Sequence, residues 1–314
     1  MEQGQLTKQY TNVNSNLAHK KNNKLYKPPV KRLLLPSIIF VALITQIPFI
    51  VTIFYSLHSW NIMRPDRGIT FNGVKNFMEI LTTSTFYKVL GNTFLITLAT
   101  LSICFVVGML FALLMNRNFF GKGIVRTMLV SSFFVMPTVS SIIWKTMVLN
   151  PNFGFSAYFA ELLHNTPVDW LAQRPLLAII LIVSWQWIPF FMLILLAGLQ
   201  SLSPELIEAA QLDGANKVQQ FFYVMIPHLI RYIEVVLLLG LMFILQVFGE
   251  IYVTTSGGPG FASTNLSFYV YRIGFQSWDV GTATTVGVIT VILTIILMMA
   301  LFTLLRKAFK EELS

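Results

Sequence analysis

The chain has 314 residues, of which 55% are hydrophobic and only 11% charged, and its mean hydropathy is +0.69. A soluble domain carries about 25% charged residues, so the composition excludes an ordinary soluble fold and predicts an integral membrane protein. The net charge of +9 comes without a basic stripe interleaved with aromatics, which argues against a nucleic-acid surface; the Lys and Arg residues sit between apolar segments and at the chain ends.

Residues 1–31 lack apolar periodicity, end near Pro28-Pro29, and read as a mobile cytosolic tail without a cleavable signal-peptide pattern. Six apolar segments follow, at about 33–57, 89–115, 124–149, 176–199, 229–253 and 283–305. Each is long enough to cross roughly 30 Å of hydrocarbon at about 1.5 Å per residue. Pro36, Pro48, Pro137 and Pro189 fall in or beside these segments, where bundled membrane helices tolerate them. With both termini inside, fifteen of the 22 Lys and Arg residues face the cytosol, including Arg117, Lys122 and Arg126, then Lys217 and Arg231, then Arg306, Lys307 and Lys310. The expected organisation is an all-α membrane protein: a tail at 1–31, a six-helix domain at 32–306, and a short cytosolic tail at 307–314.

Cys104 is the sole cysteine, so a disulfide within the chain and a thiolate metal site are excluded. Neither HExxH nor a GxxxxGK[ST] phosphate loop occurs, and His19, His58, His164 and His228 are far apart in sequence. No metal, nucleotide or catalytic site is therefore expected in this chain.

Between the fourth and fifth apolar segments, 201–228 form a polar, helix-prone loop. Ser203 and Pro204 suit the N-cap and first position of a helix, with Glu205 and Glu208 near its positive end. Gly214, after Asp213, is placed to break it with a positive φ. A second short helix, about 216–225, then runs back to Ile226-Pro227. Two short helices at an angle make a knob that fits a partner's groove; a plain interfacial hairpin is the alternative that spacing leaves open.

Polar groups inside the spans mark a candidate transport path. In the fifth segment Gln246 and Glu250 are four apart and share a helical face, flanked by Phe243 and Val247, with Gly240 a turn away. Glu250 reads either as a ligand contact or as a solvated residue at the outer interface. In the fourth, Trp185-Gln186-Trp187 precedes Pro189, and a proline kink there opens a lined cavity. Gln186 is the favoured ligand contact of the three, and Trp187 is expected to meet lipid or a neighbouring helix. Ser140 and Ser141 in the third offer hydroxyls or allow close packing. Glu234 is expected to pair with Arg231 or to snorkel.

Glu208-Ala209-Ala210, Gly214 and Ile226-Pro227 follow the spacing of the EAA loop, by which membrane subunits of bacterial ABC importers grip their ATPase. Ala197 to Gln200, Ser203 to Leu206, and Thr255-Ser256-Gly257-Gly258-Pro259-Gly260 extend the likeness. The chain resembles the maltose-permease F-type family of carbohydrate-uptake permeases over about 33–306; the stretch from Gly257 through Thr264-Asn265 to Trp278-Asp279 looks most like polyol members. The resemblance implies a type I importer fold and a bacterial plasma-membrane location. It implies pairing with a second permease, two ATPase subunits that hold ATP and Mg, an external solute-binding protein, and a sugar or polyol substrate. It also implies that Glu208, Ala209, Ala210, Asp213, Gly214 and Pro227 serve ATPase coupling. By the same likeness, that family's fifth-span sugar contacts fall at Gly240, Phe243, Ile244 and Val247, two of which are apolar here where the family member has amides, and the neighbouring Gln246 is the expected substitute. A secondary transporter or channel is the competing class, disfavoured because the halves show no repeat and deep charges are few; an intramembrane enzyme has no motif to support it.

The charge distribution makes a direct topological prediction. In a Cys104→Ser background, single cysteines near residues 70, 165 and 265 should react with an impermeant thiol reagent in intact cells, while one at 214 should react only after permeabilisation. External reaction at 214 would overturn the cytosolic placement of the loop.

Overall fold

The computed structural model describes residues 30–310, and the side chains of 34–307. The expected tail therefore lies outside the described residues up to position 29. The chain divides into two units, 1–51 and 52–314. Helix α1 (Val30–Ser56) starts in the first and holds both Pro36 and Pro48. A connecting segment follows, with a two-stranded antiparallel ladder β1 (His58–Ser59) and β2 (Thr70–Phe71) and the short helix α2 (Lys75–Thr82). The buried Asn76 amide donates to the Ser56 and His58 carbonyls at 3.2 and 3.0 Å, which satisfies backbone left open at the end of α1.

Helix α3 (Ser84–Asn116) covers the second apolar segment without interruption. The third segment departs from the expected single span. Helix α4 (Lys122–Phe134) and helix α5 (Pro137–Ile143, continued by a π-turn over Trp144–Val148) meet at a bend of 105°. Pro137 is the cause: it cannot donate to the ladder, and its ring disfavours helical geometry at the residue before it. Met136 accordingly has φ −55° and ψ 136°. Among the described residues, five helices are long and apolar enough to cross a bilayer, or six if the bent pair counts as one span.

Short helices α6 (Phe155–Leu162) and α7 (Trp170–Gln173) lead into α8 (Pro175–Gln200), the most buried of the spans. Helix α8 packs against α3 and α4, and its Phe191, Met192, Leu195 and Leu196 are inaccessible or nearly so. After the loop helices α9 (Pro204–Leu212) and α10 (Lys217–Gln220), a π-turn over Phe221–Met225 joins α11 (Ile226–Leu245). The fifth segment is interrupted too: α11 stops at Leu245, and α12 (Gly249–Thr254) follows after a break. Beyond the Gly257–Gly260 turn come α13 (Leu266–Tyr271) and α14 (Val280–Lys310). No Gly or Pro follows Gly287, so α14 continues through Lys310, and the expected tail at 307–314 begins as helix.

Polar anchors fix the loop after α12 onto α3. The Asn92 amide donates to the carbonyls of Phe261 and Thr264 at 2.8 and 3.0 Å, and the Thr93 hydroxyl accepts from the Leu266 amide. The Asn265 amide donates to the Val247 carbonyl at 2.6 Å, and the Ser267 hydroxyl to that of Leu245 at 3.2 Å. Those carbonyls are the ones that the break after α11 frees from helical bonding. Lys145 donates to the Val253 carbonyl at 3.1 Å, a cation at the negative end of α12.

Gly240, expected on the transport path, instead lies at the crossing of α11, α8 and α3. A Cβ there would overlap the Phe191 ring and meet Leu101 Cδ1 at 3.1 Å. Gly240→Val should therefore lower stability by about 1–3 kcal/mol through overpacking, read as an earlier unfolding midpoint of the purified protein in SDS–detergent mixtures. An unchanged midpoint would show that the crossing is loose.

Candidate functional site

A cleft of about 320 Å³ opens where the two interrupted segments face each other. Pro137 and Thr138 come from the start of α5, Gln186 and Trp187 from the middle of α8, and Phe243 with Gln246 through Glu250 from the end of α11 to the start of α12. Backbone that leaves the helical ladder at membrane depth persists only where protein or a water-filled cavity satisfies it. Both breaks meet that condition.

Gln186 is central to the arrangement. Its side chain is 5% exposed, and its Nε2 donates to the Val135 carbonyl at 2.8 Å, the group freed by the bend before Pro137. That bond fixes the orientation of the amide and leaves Oε1 buried without a partner. Gln186 lies on the cleft wall. Trp187, by contrast, was expected to face lipid or a neighbouring helix. It lines the cleft and stacks on Phe243, with centroids 5.2 Å apart and planes at 21°. Phe133 and Phe190 support the pair edge-on, so the two rings form a fixed aromatic wall.

Gln246 and Glu250 do not share a helical face, because the helix ends between them. Gln246 is the C-cap of α11, with φ −93° and ψ 7°, and its Nε2 donates to the Met242 carbonyl at 3.2 Å. Glu250 lies in the first turn of α12. The break brings both onto the cleft wall by another route. Glu250 is 3% exposed, so it is not a solvated residue of the outer interface. Val247 and Phe243 line the cleft as expected, and Phe248 joins them, stacked on Tyr252.

Four other candidates do not reach the cleft wall. Gly240 is the packing position described above. Ser140 and Ser141 are fully buried where α5 meets α12; Ser141 donates to the Pro137 carbonyl at 2.6 Å, and the Ser140 hydroxyl has no partner. Trp185 sits on another face of α8, edge-on to Trp144. Among the described residues the one ion pair is Lys75–Glu79, so Glu234 does not pair with Arg231.

The loop between α8 and α11 has a different character. Ser203 occupies the N-cap of α9 with extended geometry, though its hydroxyl makes no cap bond. Glu208 and Ala209 are exposed, Ala210 is half-buried, and Asp213 closes the helix. Gly214 has φ +82°. Asn216 then starts α10 with a capping box: its Oδ1 accepts from the Val218 and Gln219 amides, and Gln219 Oε1 accepts from the Asn216 amide. The second helix is not the free element expected at 216–225. It runs through the π-turn directly into α11, because an i→i+5 turn widens the backbone one step ahead of Pro227, which has no N–H to give. Leu206, Leu212, Val218, Phe222 and Tyr223 are exposed on this loop by 53–89%. At its base Ser201 Oγ contacts His228 Nε2 at 2.9 Å and the Tyr232 hydroxyl at 3.0 Å, which ties α8 to α11.

Residues 104–311 match the family described as binding-protein-dependent transport system inner membrane component. The chain belongs to that family, the multi-pass permease subunits of ABC importers. It is 35% identical over 259 residues to a probable ABC transporter permease protein, y4oQ, of Sinorhizobium fredii, covering 82% of this chain and 84% of that one. It is 30% identical over 268 residues to the trehalose/maltose transport system permease protein MalF of Thermococcus litoralis, covering 84% and 88%. Among solved structures, a bacterial alginate ABC transporter in complex with an alginate pentasaccharide-bound periplasmic protein superposes with a TM-score of 0.75 at 24% identity, over 90% of this chain and 95% of that one. The fold is that of a type I importer permease.

The two glutamines should separate by stability. Gln186→Leu leaves the Val135 carbonyl buried and unpaired, which should cost about 1–3 kcal/mol. Gln246→Leu alters an exposed cap and should cost less than about 0.5 kcal/mol. Unfolding midpoints of both variants in mixed micelles check this, and equal midpoints would remove Gln186 from its place at the bend.

Proposed function

We propose that this permease carries a sugar or polyol through the cleft between its two interrupted segments, in partnership with a second, different permease. The observation that carries the reading is the cleft wall: the Trp187–Phe243 aromatic face beside the Gln186, Gln246 and Glu250 oxygens. Aromatic faces match the C–H surfaces of polyhydroxylated ligands, and amide and carboxylate groups match their hydroxyls. The name of the trehalose/maltose relative supports the same substrate class.

In this reading a solute-binding protein delivers the ligand from outside, as the alginate-transporter complex supports by its own composition. Two ATPase subunits hold ATP and Mg and perform the hydrolysis; the chain itself is not an enzyme. One of them docks on the loop at 201–228, which lies in the cytosol with both termini. The permease domain is 32–306, flanked by tails at 1–31 and 307–314. The five large, largely apolar side chains exposed on this loop support docking, since a partner that covered them would remove them from water. Glu208 supplies a charge-assisted hydrogen bond to a basic group of the ATPase. Ala209, Ala210, Asp213, Gly214 and Pro227 shape the loop around it. A secondary transporter would need no ATP, so uptake by proteoliposomes containing the reconstituted complex, with and without internal ATP, separates the two classes.

Two loop substitutions test the coupling. A Cβ at Gly214 meets nothing within 4 Å, so a substitution acts through φ alone. Gly214→Val should abolish co-purification of the ATPase and reduce ATP-driven uptake at least about tenfold, whereas Gly214→Asn, which tolerates a left-handed backbone, should retain most of both. Glu208→Lys should likewise lose the ATPase while membrane insertion stays normal. Wild-type uptake by Gly214→Val or Glu208→Lys would remove that residue from the coupling mechanism.

A further inference from the structure

Glu250 is the one titratable group on the cleft wall, and no cationic side chain lies beside it there. No Lys, Arg or His lines the cleft among the described residues. The side chain forms no ion pair, and its recorded polar contact is with its own backbone N–H. Gln186, also on the cleft wall, has a buried Oε1 without a partner, on a side chain that is 5% exposed. Its donor end is already committed to Val135, as that of Gln246 is to Met242. One N–H of each of these amides is thus committed inside the protein, and the one charge-bearing side chain on the wall is a carboxylate. A wall of that kind suits ligands that bring donors, and it opposes ligands that bring negative charge.

From this geometry we infer that the cleft is charge-selective: Glu250 makes it take neutral or amine-bearing polyhydroxy ligands and reject those carrying a carboxylate, phosphate or sulfate. The inference rests on the sugar or polyol reading and narrows it. In a cleft of about 320 Å³ a small ligand has little room to keep its charge away from the wall. A unit charge about 6 Å from the carboxylate shifts binding roughly a hundredfold at an effective dielectric of about 20. Water and counterions weaken this, so a difference of at least about tenfold is expected.

The test uses the assembled complex of both permeases and the ATPase in nanodiscs, without binding protein, so that only the permease cavity selects. The probes are two isosteric series: sorbitol, glucamine and gluconate for open chains, and glucose, glucosamine and glucuronate for rings. Equilibrium binding of radiolabelled probes should give the cationic and neutral members at least about tenfold tighter than the anionic one. Glu250→Gln should close that gap and Glu250→Asp should retain it. If Glu250→Gln fails to assemble, Thr138→Lys, at an exposed position on the cleft wall, supplies the complementary variant and should reverse the order. Neutral probes that bind with no charge preference, or a preference that survives Glu250→Gln or Thr138→Lys, would overturn the inference and leave the sugar or polyol reading intact. If no member of either series binds, that reading fails and the inference falls with it.

Discussion

Every backbone carbonyl that leaves a helix inside a bilayer must find a donor, and this chain meets that demand with buried side chains from neighbouring elements. Gln186 reaches the Val135 carbonyl at the bend between α4 and α5, and Asn265 and Ser267 reach those of Val247 and Leu245 where α11 stops. Remove these donors and neither break is tolerable. Without the breaks the third and fifth segments would be plain spans, and no cleft would lie between them. The site is in this sense a by-product of backbone satisfaction: the residues that make the interruptions affordable also form or border its wall.

The same bonds explain why so few polar residues suffice. Gln186 commits one N–H to a structural task and lies on the cleft wall as well. A wall made in this way is rigid, since Gln186 cannot rotate toward a ligand without abandoning Val135. A ligand bound there, as proposed above, would meet groups already held in place, which limits the ordering cost of association. The aromatic side of the cleft is equally constrained, because Phe133 and Phe190 buttress the Trp187–Phe243 stack.

The amino-acid sequence shows the apolar segments plainly, since runs of this length and composition have few other uses. It also shows the loop, because Asn216, Gly214 and Glu208 act through local backbone chemistry that reads directly from residue type. The bend at Pro137 was half legible: a proline announces a disturbance, but whether it becomes a kink or a corner depends on Gln186, about fifty residues away. The break after Leu245 was hidden. The run 241–248 reads as continuous helix apart from Gln246, and the donors that release it lie some twenty residues downstream in Asn265 and Ser267. Trp187 was misplaced for a related reason. Helix α8 is apolar all round, so periodicity does not say which side faces the cavity. Gly240 invited a functional reading on spacing alone, and only the position of the Phe191 ring shows that it serves a helix crossing.

The continuity of α10, its π-turn and α11 turns this stretch into a single rod of about 43 Å, at 1.5 Å per residue. Near its middle the rod presses on α8 at Gly198, where even a Cβ would strike Leu229 and Tyr232 at 2.6–2.8 Å. So close an approach of backbone to side chain has the form of a fulcrum. The arms on either side are nearly equal, about 20 Å toward the loop and about 23 Å toward the cleft. A rigid rod that turned about that contact would carry its two ends in opposite directions by similar distances, and it is the missing side chain at Gly198 that lets α8 and the rod come so close.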